Sequence, residues 1–240
     1  MVSFWSGLDS IGWVLYMLLA IKKVLNEQQL SVVQKLLENA QFVDGKLSAG
    51  KEAKTVKNNE ELASQNPLHQ QLNQIVMNSL VQHEEYQRAA LPNRVSTPFY
   101  ARYTQGMNYG YHVDNPVMGP FGQQYRSDVS TTVFLNAKDA YEGGEIIIQT
   151  PFGEQLIKLN AGDAIVYPSS SLHKVAEITA GQRLVAVIWA QSMIRDAQKR
   201  ELLYELSGAR ESLLKTQPEA EETRHISNVY SNLVRRWSEV

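Results

Sequence analysis

The chain of 240 residues contains no cysteine. That absence removes disulfides, thiolate metal ligands and cysteine nucleophiles together, and gives no sign of an oxidising compartment. An excess of positive charge is also missing: 23 Lys and Arg stand against 25 Asp and Glu, for a net charge of −2, with no long basic run. Nucleic acid is therefore not an expected partner, because nothing supplies the electrostatic footprint that grips phosphate backbones. Internal repeats and low-complexity tracts are absent as well. Long hydrophobic runs are scarce. The conspicuous one, Ile11 to Ile21 (IGWVLYMLLAI), is too short to span a bilayer comfortably and is followed by Lys22 and Lys23. A signal peptide would need a basic region ahead of it, yet MVSFWSGLDS carries only Asp9, and no small-residue cleavage site follows. No membrane partner or export is expected, and a cytoplasmic protein is the simplest reading. Met17 offers an alternative translation start, which would make residues 1–16 an upstream extension.

What is present is an ordinary globular composition, 43% hydrophobic and 20% charged. Asn26 followed by Glu27, Gln28 and Gln29 reads as a capping box, and Leu30, Val33, Leu37 and Ala40 recur at helical spacing behind it. Asn66-Pro67 opens a second helix carrying Leu68, Leu72, Ile75, Val76 and Leu80, expected to run to about Ala90. From Pro98 the character changes. β-branched and aromatic residues gather in short runs at Thr131–Leu135, Glu145–Ile148, Ala164–Tyr167 and Leu184–Trp189, separated by turn signals such as Glu142-Gly143-Gly144 and Ala161-Gly162-Asp163. Short strands at this spacing predict an antiparallel sandwich or barrel. Helical periodicity returns with Leu202, Leu203 and Leu206, then Ile226, Tyr230, Leu233 and Trp237, so the order is helices, β core, helices. Apolar positions in the terminal helices suit packing on the core or a homodimer interface.

The chemistry-bearing stretch is NYGYHVDNPVMG, from Asn108 to Gly119. In an extended strand, residues two apart share a face, so His112 and Asp114 would present an imidazole and a carboxylate side by side. Asn115-Pro116 is expected to end the strand. His173, in SSSLHKV after the strand ending near Tyr167, is the best third donor. Two histidines and a carboxylate on one face of a metal, with the other positions open, suit non-haem iron. Each residue also has a plain structural explanation, since HxD alone recurs by chance. Arg183 adds weight: a guanidinium at the start of the apolar run RLVAVIW is costly unless it meets an anion or reaches solvent, and its planar fork suits a carboxylate. His69, His83 and His225 have no spaced carboxylate in a strand context and read as structural.

The runs YARYTQGMNYGYHVDNP, LNAKDAYEGGEI and AGDAIVYPSSSLHKVAEITAGQRLVAVIWAQS resemble the Fe(II)- and 2-oxoglutarate-dependent dioxygenases, and among them the prolyl-4-hydroxylase-like branch. FVDGKLSAGKEAKTVKNN and AQSMIRDAQKRELLYEL extend the likeness to the bacterial PKHD-type hydroxylases, from about Met17 to Val240. The resemblance implies an α+β fold with a double-stranded β-helix core, a distorted jelly roll, flanked by N-terminal and C-terminal helices. It divides the chain into residues 1–16, an extension; 17–95, an N-terminal helical region; 96–192, the dioxygenase domain; and 193–240, a C-terminal helical extension. It further implies that His112, Asp114 and His173 ligate Fe(2+), that Arg183 pairs with the distal carboxylate of 2-oxoglutarate, and that Tyr103 assists there. L-Ascorbate would restore oxidised iron. The implied reaction consumes O₂ and 2-oxoglutarate, releases succinate and CO₂, and hydroxylates a protein side chain or a small molecule, with a link to iron homeostasis. A non-catalytic iron or 2-oxoglutarate sensor, or a zinc hydrolase, would use a similar trio. Lys57-Asn58-Asn59 is expected to be a solvated turn.

Overall fold

The computed structural model describes residues 17–240. The upstream extension, residues 1–16, and with it the first six residues of the Ile11–Ile21 run, lie outside the described residues, which begin at Met17. The last part of that run, Leu19–Ile21, is a strand, β1, with Ile21 fully buried. Among the described residues no helix is long and apolar enough to cross a membrane.

Helix α1 (Glu27–Glu38) starts at the expected cap. Asn26 Oδ1 accepts from Gln29 N at 2.9 Å and Gln29 Oε1 accepts from Asn26 N at 3.0 Å, which satisfies two donors that would otherwise be orphaned. After β2 (Phe42–Asp44), β3 (Lys57–Asn58) and β4 (Glu60–Leu62), helix α2 (Leu68–Gln82) buries Leu72, Val76 and Leu80. The second helix does not continue to Ala90 as one piece. His83 is extended (φ −71°, ψ 118°) and separates α2 from α3 (Glu84–Ala90). With β5 (Pro92–Val95), the segment 17–95, expected to be helical, also supplies five strands. Its strands are short and several are polar, and they form by pairing with distant partners rather than by local propensity.

The remaining strands are β6 (Phe99–Tyr103), β7 (Asn108–His112), β8 (Val117–Met118), β9 (Tyr125–Arg126), β10 (Val129–Phe134), β11 (Tyr141–Gly143), β12 (Ile146–Thr150), β13 (Gly153–Ile157), β14 (Ala164–Pro168), β15 (His173–Val175), β16 (Ile178–Gly181) and β17 (Arg183–Ser192). Helices α4 (Ala197–Thr216) and α5 (Glu221–Trp237) close the chain. An eight-stranded sheet has the order β1, β14, β10, β17, β6, β4, β2, with β5 also on β17. A five-stranded sheet has the order β13, β12, β15, β7, β3. The interleaved, antiparallel order is that of the distorted jelly roll.

Strand alternation decides what each face of the large sheet does. Val129 and Val133 of β10, Ala164 and Val166 of β14, and Ala186 and Ile188 of β17 pack against the helices with Leu72, Val76 and Leu80. Their neighbours Phe134, Ile165, Tyr167 and Val185 face the smaller sheet and pack with Ile146, Ile148 and Val175. Each fully buried aliphatic side chain contributes about 1.5–3 kcal/mol, so both faces of this sheet are held by apolar burial. The C-terminal helices dock separately, with Leu203, Tyr230, Leu233 and Trp237 around Leu91 and Ile194.

Candidate active site

Between the sheets lies a cavity of about 530 Å³. His112 and His173 stand directly opposite each other in the β7–β15 pairing. Their ring centroids are 4.3 Å apart. His112 Nδ1 donates to Gly110 O at 2.8 Å and His173 Nδ1 donates to Ser171 O at 2.9 Å. A carbonyl only accepts, so each Nδ1 carries a proton, and each ring turns its Nε2 toward Asp114 and the cavity. Burial first, then the neighbouring His173, lower the pKa of His112 to about 4, which keeps its ring neutral at ordinary pH.

Asp114 completes the cluster, but not as one strand face. Strand β7 ends at His112, ahead of Asn115-Pro116, and Asp114 stands in the loop that follows. Ser130 Oγ, from β10, donates to Asp114 Oδ2 at 2.5 Å and is itself bonded to Ser169 Oγ at 2.7 Å. That leaves Oδ1 pointing at the two Nε2 atoms, 3.9 Å from His112 and 4.0 Å from His173. These gaps are too long for hydrogen bonds. The three donor atoms nonetheless lie within 4.8 Å of one another, and a carboxylate buried beside two outward-turned lone pairs calls for a cation. The residues present fit a metal ion of the two-histidine, one-carboxylate kind.

Arg183 opens β17 and is 1% exposed, which excludes the strand-end cation with its head in solvent. Its partner in register on β6 is Tyr103, and the guanidinium carbon lies 5.0 Å from the Tyr103 ring. Nε of Arg183 has no hydrogen-bond partner among the described residues. A buried guanidinium left short of acceptors in a cavity fits a carboxylate ligand. Gly144 makes room for it: at φ +69°, a Cβ there would lie 2.4 Å from Ile178 Cδ1 and 3.0 Å from Arg183 Cδ. Burial pushes the Tyr103 phenol up to about 12 against the opposing effect of Arg183, so the phenol keeps its proton.

Other residues reach the site without a sequence signal that singled them out. Tyr109 stacks on His112 with centroids 3.6 Å apart and planes 12° from parallel. The residues are three apart, and a regular strand would place them on opposite faces. A bulge in β7, where Tyr109 pairs with Val175 and His112 with His173, inserts the extra residue that brings them together. Tyr167 meets the His173 ring edge-on at 5.1 Å. Lys57, Asn59 and Glu61 also line the cavity, with Lys57 7% and Asn59 3% exposed, so the expectation of a solvated turn at Lys57-Asn58-Asn59 is wrong. Their alternation is visible only in the fold, because KNNEEL carries no hydrophobic period. Residues 57, 59 and 61 share one face, while Asn58 is exposed and Glu60 pairs outward with Arg102 at 2.7 Å. The other histidines stay outside: His69 Nε2 bonds Ala63 O at 3.1 Å, and exposed His225 lies 3.5 Å from Glu221.

Residues 98–191 match the 2OG-Fe(II) oxygenase superfamily, and residues 196–239 match the PKHD-type hydroxylase C-terminal domain. A PKHD-type hydroxylase of Thioalkalivibrio sulfidiphilus is 51% identical over 224 residues, covering 93% of this chain and 100% of the relative. One of Stenotrophomonas maltophilia is 44% identical over 225 residues, with 93% and 100% covered. Among solved structures, a Pseudomonas putida prolyl-4-hydroxylase superposes with a TM-score of 0.54 at 16% identity, over 75% of this chain and 94% of that one. A Trichoplax adhaerens prolyl hydroxylase in complex with a hypoxia inducible factor peptide gives 0.53 at 16% identity, over 79% and 87%. Those two likenesses concern the fold alone. The sequence relatives, the matched C-terminal domain and the His-Asp-His cluster together lead to one assignment: the chain belongs to the PKHD-type hydroxylases, oxidoreductases of the 2OG-Fe(II) oxygenase superfamily.

Proposed function

We propose that this enzyme hydroxylates a C–H bond of its substrate with 2-oxoglutarate as cosubstrate, His112, Asp114 and His173 holding Fe(II) and Arg183 with Tyr103 holding the distal carboxylate. The observation that carries the reading is one cavity containing both a convergent Nε2, Nε2, Oδ1 donor set and a buried arginine whose Nε has no acceptor. With iron and O₂, 2-oxoglutarate is cleaved to succinate and CO₂ while substrate C–H becomes C–OH, one oxygen atom going to succinate and the other to the product.

The chain's own residues bind, orient and exclude. His112 and His173 would offer their Nε2 atoms to the ion, because their Nδ1 protons are engaged by backbone carbonyls. Ser130 fixes Asp114 so that one carboxylate oxygen faces the ion, and the carboxylate offsets part of its charge. Arg183 would hold the distal carboxylate of the cosubstrate, and the protonated Tyr103 phenol beside it would supply a further donor. Apolar walls at Ile146, Val175 and Val187 exclude water. The wider reading is of a cytoplasmic enzyme maintained by L-ascorbate, with a role in iron homeostasis suggested by the family likeness.

The test is Fe(II)-dependent succinate release from 2-oxoglutarate. His112→Ala should abolish it, and Arg183→Ala should raise the KM for 2-oxoglutarate by about 100-fold or more, since two charge-assisted hydrogen bonds at about 1.5–3 kcal/mol each would be lost. No succinate above the His112→Ala background, with Fe(II) bound, would overturn the reading in favour of a sensor.

A further inference from the structure

The segment Lys57–Leu62 crosses from one sheet to the other. Lys57 and Asn58 pair with β7 of the smaller sheet, and Glu60 and Glu61 pair with β6 of the larger. Asn59 sits at the crossing, its carbonyl bonded to Gly45 N at 2.9 Å. The crossing turns Lys57 and Glu61 into the cavity, where their side chains are 9% and 12% exposed and form an ion pair. Ser48 Oγ closes the triangle, accepting from Lys57 Nζ at 3.1 Å and donating to Glu61 Oε2 at 2.5 Å. Lys57 Nζ lies 5.6 Å from the centre of the Tyr109 ring, and the other neighbour of that ring is His112. The pair thus stands one aromatic ring away from the metal-binding cluster.

An apolar pair of the same volume would hold two strands together at no desolvation cost, so a buried ion pair on a cavity wall needs another reason. Charge balance supplies one. The charged side chains lining the cavity are Lys57, Arg183, Glu61 and Asp114, which sum to zero, and a divalent cation with a dianionic cosubstrate leaves the sum unchanged. The loaded cavity therefore favours an uncharged or internally neutral substrate over an ion. Beside the closed triangle, one ammonium proton of Lys57 and the remaining lone pairs of Glu61 are unused. A neighbouring positive and negative charge match a carboxylate and an ammonium carried on one carbon. Both side chains are largely buried, which suits the end of a small molecule that enters the cavity.

We infer that Lys57 and Glu61 form a substrate subsite for the zwitterionic end of a free α-amino acid, with Lys57 taking the carboxylate and Glu61 the ammonium, and the side chain directed past Tyr109 toward the metal. This rests on the oxygenase reading above, and the experiment separates the two. Full-length protein with Fe(II), 2-oxoglutarate and O₂ is assayed for succinate alone, with each of the proteinogenic amino acids, and with N-acetyl and C-amide forms of any that stimulate. Failure of the oxygenase reading appears as no succinate in any arm. The subsite predicts that at least one free amino acid raises succinate release about tenfold, equivalent to about 1.4 kcal/mol, and that its blocked forms do not. Succinate release that no amino acid stimulates would overturn the inference. Equal stimulation by blocked forms would also overturn it, in favour of a neutral amide ligand. Glu61→Gln, which keeps the shape, should raise the half-saturating concentration of the free amino acid about tenfold and narrow its advantage over the N-acetyl form. A purely structural role would leave that preference unmoved, and the wild-type series decides the matter should the variant fail to fold.

Discussion

Asp114 divides its two carboxylate oxygens between the protein and the proposed ion: Ser130 takes Oδ2, and Oδ1 faces the two imidazoles. Ser130 is fully buried and bonded in turn to Ser169, so the carboxylate has little freedom to rotate. Ser130→Ala is expected to weaken Fe(II) affinity by about 10- to 100-fold with the fold intact, as for other groups that orient a ligand, and a metal titration checks it. Unchanged affinity would show that Asp114 is held by its loop. His112 gives a pH prediction. Its pKa in the folded, metal-free protein is about 4 against an ordinary 6.5, mainly through burial, so between those values the unfolded chain binds more protons than the native one. The contribution of His112 to stability is therefore full above pH 6.5, falls as the pH drops toward 4, and levels off below. Thermal melts in chelator across that range should follow this course, and His112→Gln should flatten it. His112, Asp114, His173 and Arg183 were legible because their chemistry is unusual for strand-rich sequence. Ser130 was not, because a buried serine in VSTTVF looks like any other strand residue.

Strand β7 shows how an element creates a site that its residues do not spell. Its bulge turns Tyr109 onto the His112 ring, and Gly110 sits within it, donating its N–H to Val56 O at 2.8 Å. A Cβ at Gly110 would lie 2.9 Å from Val56 Cβ, so Gly110→Ala must push the strand and the preceding segment apart. Overpacking of this kind costs about 1–3 kcal/mol, measurable by urea unfolding, and the shifted strand should also weaken metal binding. A variant as stable as wild type would mean that the Val56 segment yields. Tyr111, on the opposite face, contacts Glu154 and lies under Lys174 at 4.4 Å, which accounts for a second tyrosine in the same strand without a role in the cavity. Periodicity predicted the apolar strands well and the polar ones poorly. KN and EEL carry no hydrophobic alternation, and only their pairing with β7 and β6 makes them strands.

Across the whole molecule, a buried arginine joins the C-terminal helices, already docked by their apolar cluster, to the segment before α4 and to the start of β10. Arg200 of α4 is 1% exposed, and its guanidinium donates to Ile194 O at 2.7 Å, Arg195 O at 2.8 Å and Asp128 O at 3.3 Å. Burial lowers its pKa to about 10, leaving it charged, and Asp128 holds the start of β10 beside Ser130. Arg200→Met would strand those carbonyls and is expected to cost about 3 kcal/mol, read as a lower urea midpoint. An unchanged midpoint would show that the apolar contacts of α5 suffice. The chain's local patterns determined the capped first helix, the apolar strands, the order of helices around a β core, and which residues stand out as candidate donors, because caps, periodicity and costly buried charges are properties of neighbouring residues. The tertiary structure alone decided that Asp114 is oriented from a loop by Ser130, that a bulge brings Tyr109 to His112, and that Lys57, Asn59 and Glu61 face inward. Those outcomes depend on which distant strands pair and in what register, a cooperative choice made by the burial of both faces of the large sheet.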